Sequence, residues 1–285
     1  MSCPEVSTPL LSVDDLTVEF DMPRTGGLFG RRKKTQALKS VSMQIGPGET
    51  VGLVGESGSG KSTLAKAVLG IVPIASGSIV WNGTPTQSPA DIRRAATKHA
   101  QLVFQDPFSS LNPMMTVRST LIEVLTTRGD LGRAAAGRRA AELLDAVQLP
   151  SNALSRYPSE FSGGQRQRIV IARALATSPE LLVCDEALSA LDVTTQAKMI
   201  TLLTQLKDDL GMAMLFIGHD LSVVRHLSSR MLVMYHGEIA EQGPADEVYE
   251  NPRNPYTQRL VASIPVADPA VQRKRRQFRM KERVI

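Results

Sequence analysis

Residues 55–63 read GESGSGKST, directly after the short apolar run of Glu49 to Val54 and directly before a helical stretch from Lys61 to Leu69 that Gly70 can stop. The segment satisfies G-x-x-x-x-G-K-[ST] in the strand–loop–helix context that gives this pattern its meaning. Gly55, Glu56, Ser57, Gly58, Ser59 and Gly60 form a loop whose backbone can wrap closely round phosphate oxygens and offer them its N–H groups. The dipole of the helix starting near Lys61 favours the same anion. Lys61 is placed to reach the β- and γ-phosphates, Ser62 to give a hydroxyl to Mg²⁺, and Thr63 to serve the α-phosphate region. A dinucleotide cradle is excluded, because the stretch contains no G-x-G-x-x-G and such a site has no use for the Lys-Ser pair.

Outward from this loop, strand and helix signals alternate: Leu16 to Phe20, Ser78 to Trp81 with the Asn82-Gly83 turn, His99 to Phe104, Leu181 to Cys184, Met212 to Ile217, Arg230 to Met234 and Glu238 to Ala240 read as strands. Val117 to Ala176 is rich in Ala, Leu and Arg at helical spacing, interrupted by YPSEFSGG. The order predicts an α/β core with a helical insertion. Leu181–Cys184 leads into Asp185 and Glu186, two carboxylates at the end of a buried strand. Asp185 suits the water shell of Mg²⁺, and Glu186 the orientation or deprotonation of a water attacking the γ-phosphate. His219 follows the strand of LFIGHDL and is placed to polarise the γ-phosphate or that water. Gln105 ends another strand and offers its side-chain oxygen to Mg²⁺ or to the water. Cys184 reads as a small buried hydrophobe.

Composition sets limits on the class. The chain has 285 residues, 42% of them apolar, enough for a substantial packed core. No run approaches the roughly 18 to 20 apolar residues of a membrane span. MSCPEVSTPL has no basic start leading to an apolar core, so the expected compartment is the cytoplasm. Two distant cysteines, Cys3 and Cys184, make neither a disulfide framework nor a cysteine-rich zinc site. The net charge of +5 is concentrated in the tail Arg273 to Arg283, which holds seven basic residues and one acidic, and the remainder of the chain is near neutral. A second basic knot, Arg31 to Lys34, sits in the Gly-rich stretch TGGLFGRRKK, which reads as a loop. Both are either solvated charge or contacts to nucleic acid or an anionic membrane.

With FSGGQ at Phe161 to Gln165, followed by RQRIVIARALA, the sequence resembles the ATP-binding subunits of ABC transporters over roughly residues 11–265. The motifs run in order: GESGSGKST, the glutamine loop in VFQDP, FSGGQ, LLVCDE, SALD at Ser189 to Asp192, and HD at His219-Asp220. The resemblance implies a P-loop NTPase core with a small antiparallel β-subdomain and an inserted helical subdomain at about 106–176. It implies ATP and Mg²⁺ as cofactors, and a signature Ser162, Gly163, Gly164 and Gln165 that completes the ATP site of a second ATPase subunit. FQDPFSSLNPMMTV, CDEALSALDV and NPRNPYTQRLVASIP are similar to the oligopeptide, dipeptide and nickel importer group. On that footing residues 11–250 form the ATPase domain and 251–285 a C-terminal extension ending in the basic tail.

The implied partners are two separate membrane-spanning permease subunits, a second ATPase subunit more often different than identical, and, indirectly, an external solute-binding protein. No nucleic acid is expected, and the implied place is the cytoplasmic face of the bacterial inner membrane. Peptides lead as cargo, with nickel, opines and glutathione as alternatives. The segment Asp106 to Val117 is where the resemblance puts the coupling contact with the membrane subunits. The rival class, a soluble ABC ATPase acting on nucleic acid or ribosomes, is suggested by the basic tail and disfavoured by the single ATPase unit. The sequence departs from the group at Phe161, where Leu is usual, at Ala187-Leu188 for Pro-Thr, and at Asn254 for His. It also lacks the tail cysteines that an iron–sulfur site would need. Phe20 best matches the aromatic that stacks on adenine; Phe29 is its rival, and a plain core phenylalanine the alternative.

Overall fold

A computed structural model of the chain describes residues 8–21, 34–104, 106–128 and 131–264. Gln105, Phe29, residues 31–33 and the basic tail therefore lie outside the described residues. In chain order come β1 (Leu11–Asp21), β2 (Lys34–Ile45), β3 (Thr50–Val54), α1 (Lys61–Val68), β4 (Ser76–Trp81), β5 (Thr84–Pro85), α2 (Pro89–His99) and β6 (Ala100–Val103). Then follow α3 (Pro107–Ser110), α4 (Val117–Arg128), α5 (Arg133–Ala146), two short 3₁₀ turns, α6 (Gly163–Leu175), β7 (Leu181–Asp185), α7 (Val193–Leu210) and β8 (Ala213–Gly218). The chain continues through α8 (Leu221–Leu227), β9 (Arg230–Tyr235), β10 (Glu238–Pro244), α9 (Ala245–Glu250) and α10 (Pro255–Ser263). The described residues fall into two compact units, one drawn from within 8–45, 49–93 and 216–264, the other from within 46–48 and 94–215.

In the first unit, β2, β1, β4 and β5 form an antiparallel sheet in that order. Leu11 faces Ile45 on one side and Trp81 on the other. Alternation sends Leu11, Val13, Leu38, Ile45, Ile79 and Trp81 to a buried face, each at most 1% exposed. A register shift falls after Val13, where Asp15 takes φ 48° and donates its N–H to Ser42 Oγ at 2.9 Å. β3 pairs in parallel with β9, Val51 opposite Arg230 and Val54 opposite Val233, and β9 turns back antiparallel into β10. Every residue of β3 is buried, as expected for a parallel strand covered on both faces.

The second unit contains the parallel pair β6–β7, with Ala100 opposite Leu181 and Val103 opposite Cys184. Its helices α4, α5 and α6 pack mutually through Leu121, Leu125, Ala136, Ala140, Leu144, Ile169 and Ile171. The interruption read at YPSEFSGG contains a 3₁₀ turn at Pro158–Glu160, and another at Ser151–Ser155 precedes it. Arg156 guanidinium lies 4.4 Å above the centre of the Phe161 ring, which is only 5% exposed. A ring therefore does at that position what an aliphatic side chain does elsewhere in the group, with a cation–π contact in addition. Ala187 and Leu188 are likewise buried, so this second departure fills apolar interior.

Candidate functional site: a phosphate loop and a helix-capping signature

β3 delivers the chain into the phosphate loop, and α1 begins at Lys61 immediately after Gly60. No side chain caps α1 and no acidic residue occupies its first turn, so its leading N–H groups carry undiluted positive potential. Lys61 is 4% exposed, and its Nζ donates to the Gly55 and Glu56 carbonyls, 2.8 Å each. Ser59 Oγ is buried without a hydrogen-bond partner, which in a buried hydroxyl costs of order 1–3 kcal/mol unless something supplies one. A buried cation, an uncapped helix start and an orphaned hydroxyl within seven residues fit a polyanionic ligand such as a nucleotide phosphate chain. Beside the loop, Gly58 joins Glu19, Thr35, Ala37, His236 and Gly237 around an open pocket of about 730 Å³. Phe20 lies at the end of β1 opposite Thr35 and is 42% exposed, so it is not a core phenylalanine. His219 is exposed at the end of β8, and the next residue, Asp220, caps α8 through the Ser222 and Val223 N–H groups.

In the second unit β7 ends at Asp185, 8% exposed, and Glu186 follows with φ 50°. A non-glycine residue in that left-handed region costs roughly 1–2 kcal/mol. The Glu186 carbonyl accepts both the N–H and the Oγ of Ser189, at 3.1 and 2.9 Å, so the residues after the carboxylates hold the turn. Burial, with Asp185 alongside, pushes the Cys184 thiol up to about 12, in keeping with a buried hydrophobe.

The signature is a capping box at the start of α6. Ser162 Oγ accepts the Gln165 N–H at 3.3 Å while Gln165 Oε1 accepts the Ser162 N–H at 3.1 Å. Ser162 and Gly163 are both exposed. Gly164 sits so close to Thr195 that a Cβ would lie 2.5 Å from the Thr195 methyl. Thr195 in turn donates its N–H and Oγ1–H to Asp192, at 2.9 and 2.7 Å, capping α7. The structure thus brings the signature together with the residues just after SALD.

Two features escaped the reading of the sequence. Asn254 caps α10, accepting the Tyr256 N–H at 2.8 Å, and Tyr256 Oη accepts the N–H of Glu56 in the phosphate loop at 3.0 Å. NPY is a helix-start signal of Asn cap and Pro at the first position, but nothing local names a partner 200 residues away.

These parts define a nucleotide-binding α/β protein built round a phosphate loop, with a second, helix-borne Gly-rich motif. The chain belongs to the ABC transporter family, whose profile matches residues 38–189; the oligopeptide/dipeptide transporter C-terminal region matches residues 240–283. Over 94% of its length the chain is 47% identical to the glutathione import ATP-binding protein GsiA of Escherichia coli K12, covering 43% of that protein, so it spans less than half of this relative. It is 44% identical to the oligopeptide transport ATP-binding protein OppF of Salmonella typhimurium, over 94% of the chain and 81% of OppF. Among solved structures, cbiO1 from Clostridium perfringens, part of the ABC transporter complex cbiONQ, matches 86% of the chain and 92% of its own at TM-score 0.73 and 26% identity. The dimeric post-hydrolysis state of the ATP-binding cassette MJ0796, bound to ADP and phosphate, matches 82% and 98% at 0.71 and 28%. The fold is that of an ABC ATPase, with its small antiparallel sheet, parallel strands and helical insertion. Among the described residues no helix is long and apolar enough to cross a membrane.

Proposed function

We propose that this chain is the ATP-binding and ATP-hydrolysing subunit of an ABC importer for peptides or related small solutes, held at the cytoplasmic face of the bacterial inner membrane by separate permease subunits. The observation that carries this reading is the similarity to OppF along 94% of the chain, together with the C-terminal region characteristic of oligopeptide and dipeptide transporters. Glutathione is the alternative cargo favoured by GsiA. The ATPase domain spans 11–250, with its helical subdomain at about 106–176, and the extension 251–285.

Within it, the loop 55–60 and the N–H groups opening α1 bind the β- and γ-phosphates, and Lys61 turns its ammonium to them. Ser62, Asp185 and Gln105 supply the hard oxygen donors that suit Mg²⁺, which when bound offsets the charge gathering on the phosphates. Glu186 takes the proton of the attacking water, and His219 polarises the water or the γ-phosphate. Phe20, exposed at a strand end, stacks on the adenine. Ser162, Gly163, Gly164 and Gln165 serve the γ-phosphate of the opposite subunit, so hydrolysis requires a dimer, here with a second, different ATPase. Closing of the dimer on ATP switches the permeases, and hydrolysis resets them.

The test is an affinity pull-down of tagged Glu186→Gln chain with ATP from gently solubilised membranes. The expected co-purifying proteins are two polytopic subunits and a second ATPase. Ribosomal proteins or nucleic acid in their place would overturn the importer assignment.

A further inference from the structure

The segment after β10 is tied to that strand before it reaches α10. Glu241 accepts the Arg253 and Asn254 N–H groups with its two carboxylate oxygens, at 2.8 and 3.1 Å, and the Asn254 amide donates to the Ala240 carbonyl at 2.9 Å. Asn254 then caps the helix. This fixed start places Tyr256, 5% exposed, against Tyr235, with ring centroids 4.1 Å apart. From there its Oη accepts the Glu56 N–H at 3.0 Å. The Glu56 N–H and the Gly55 carbonyl belong to one peptide group, and Lys61 Nζ donates to that same carbonyl at 2.8 Å. The first peptide of the phosphate loop is therefore gripped at both ends, by the loop's own lysine and by the C-terminal extension.

We propose that Tyr256 is a positioning residue of the nucleotide site, fixing the Gly55–Glu56 peptide and through it the resting place of Lys61. Gly55 has no Cβ to oppose rotation of that peptide, so hydrogen bonds must set its orientation. A phenol is neutral at physiological pH, and burial raises this one further above its ordinary value. With the Glu56 N–H committed to Tyr256, the amides left for phosphate are those further along the loop and at the start of α1. The C-terminal extension is then part of the ATP site.

This inference rests on the phosphate-loop reading, and three variants of the full chain separate the two. Tyr256→Phe keeps the ring on Tyr235 and removes only the acceptor. Its Kd for a fluorescent ATP analogue, and its KM for ATP in the assembled transporter, are expected to rise about three- to tenfold, the span of one lost hydrogen bond. The expected kcat stays within about twofold, and hydrogen exchange at the Glu56 amide accelerates. Asn254→Ala leaves the tyrosine chemically intact but unsettles its helix, and shifts affinity in the same direction. Lys61→Ala is expected to lose the analogue altogether. If Lys61→Ala fails to bind while Tyr256→Phe matches wild type in affinity and in Glu56 exchange, the positioning role is overturned and the loop reading stands. If Lys61→Ala binds normally, the loop reading itself falls.

Discussion

Gly55 and Gly58 belong to one loop and both have positive φ, yet alanine at the two positions is predicted to behave very differently. Gly55 has φ 154°, and a Cβ there would overlap the backbone carbonyl of Met234 and lie 2.8 Å from Ser59 Oγ. Gly58 has φ 80°, and a Cβ would meet nothing within 4 Å. Gly58→Ala therefore costs only the backbone term, about 1–2 kcal/mol. Gly55→Ala adds about 1–3 kcal/mol for forcing loop and strand apart, since β9 backbone cannot swing aside as a side chain can, giving a total of about 2–5 kcal/mol. That is a large part of a typical folding free energy of about 5–15 kcal/mol. Urea unfolding followed by circular dichroism measures both, and the difference should appear in the midpoint at unchanged slope. Nucleotide affinity should fall with Gly55→Ala, because the displaced peptide is the one that Lys61 and Tyr256 hold. Equal midpoints for the two variants would refute the close approach of the loop to Met234.

In a Cys3→Ser chain, Cys184 should resist thiol reagents at pH 8 when folded, since burial holds its thiol near 12, and should react fully in denaturant; a stoichiometric titration of that folded variant would contradict its burial. Asp192 is held below the usual carboxylate range, first by the Thr195 hydroxyl and then by the backbone N–H of Thr195. Its contribution is thus present above the unfolded value of about 3.9 and lost as pH falls through the lower folded value. Asp192→Ala should consequently lower the urea midpoint at pH 6, with the gap to wild type narrowing as pH falls below the unfolded value, whereas a pH-independent difference would show that the carboxylate charge is irrelevant. Asp192→Asn, which keeps a cap acceptor, should lose less than Ala at pH 6.

How much of this was legible in the sequence depends on where the information lies. β3, β7 and β8 are short apolar runs buried along nearly their whole length, so pattern alone finds them within a residue or two. The phosphate loop and signature are local because their chemistry is backbone chemistry at a helix start. α2 escaped notice because Ile92 and Ala96 are the only apolar residues it buries, too thin a stripe for periodicity; Ser88, which caps it through Asp91 N–H at 3.2 Å, was the available signal. With α2 reaching His99, the strand read as His99 to Phe104 narrows to Ala100–Val103. The left-handed backbone at Glu186 is imposed by the Ser189 contacts, and no propensity of glutamate announces it. The reach of Tyr256 to Glu56 is purely tertiary.

The Lys61 ammonium already donates to the Gly55 and Glu56 carbonyls before any phosphate is considered. If Lys61 turns to the phosphates as proposed, nucleotide binding is an exchange reaction, in which contacts to phosphate replace contacts to neutral carbonyls. Measured affinity would then report only the difference between those two sets, so strong individual contacts to phosphate would be compatible with easy release of the product.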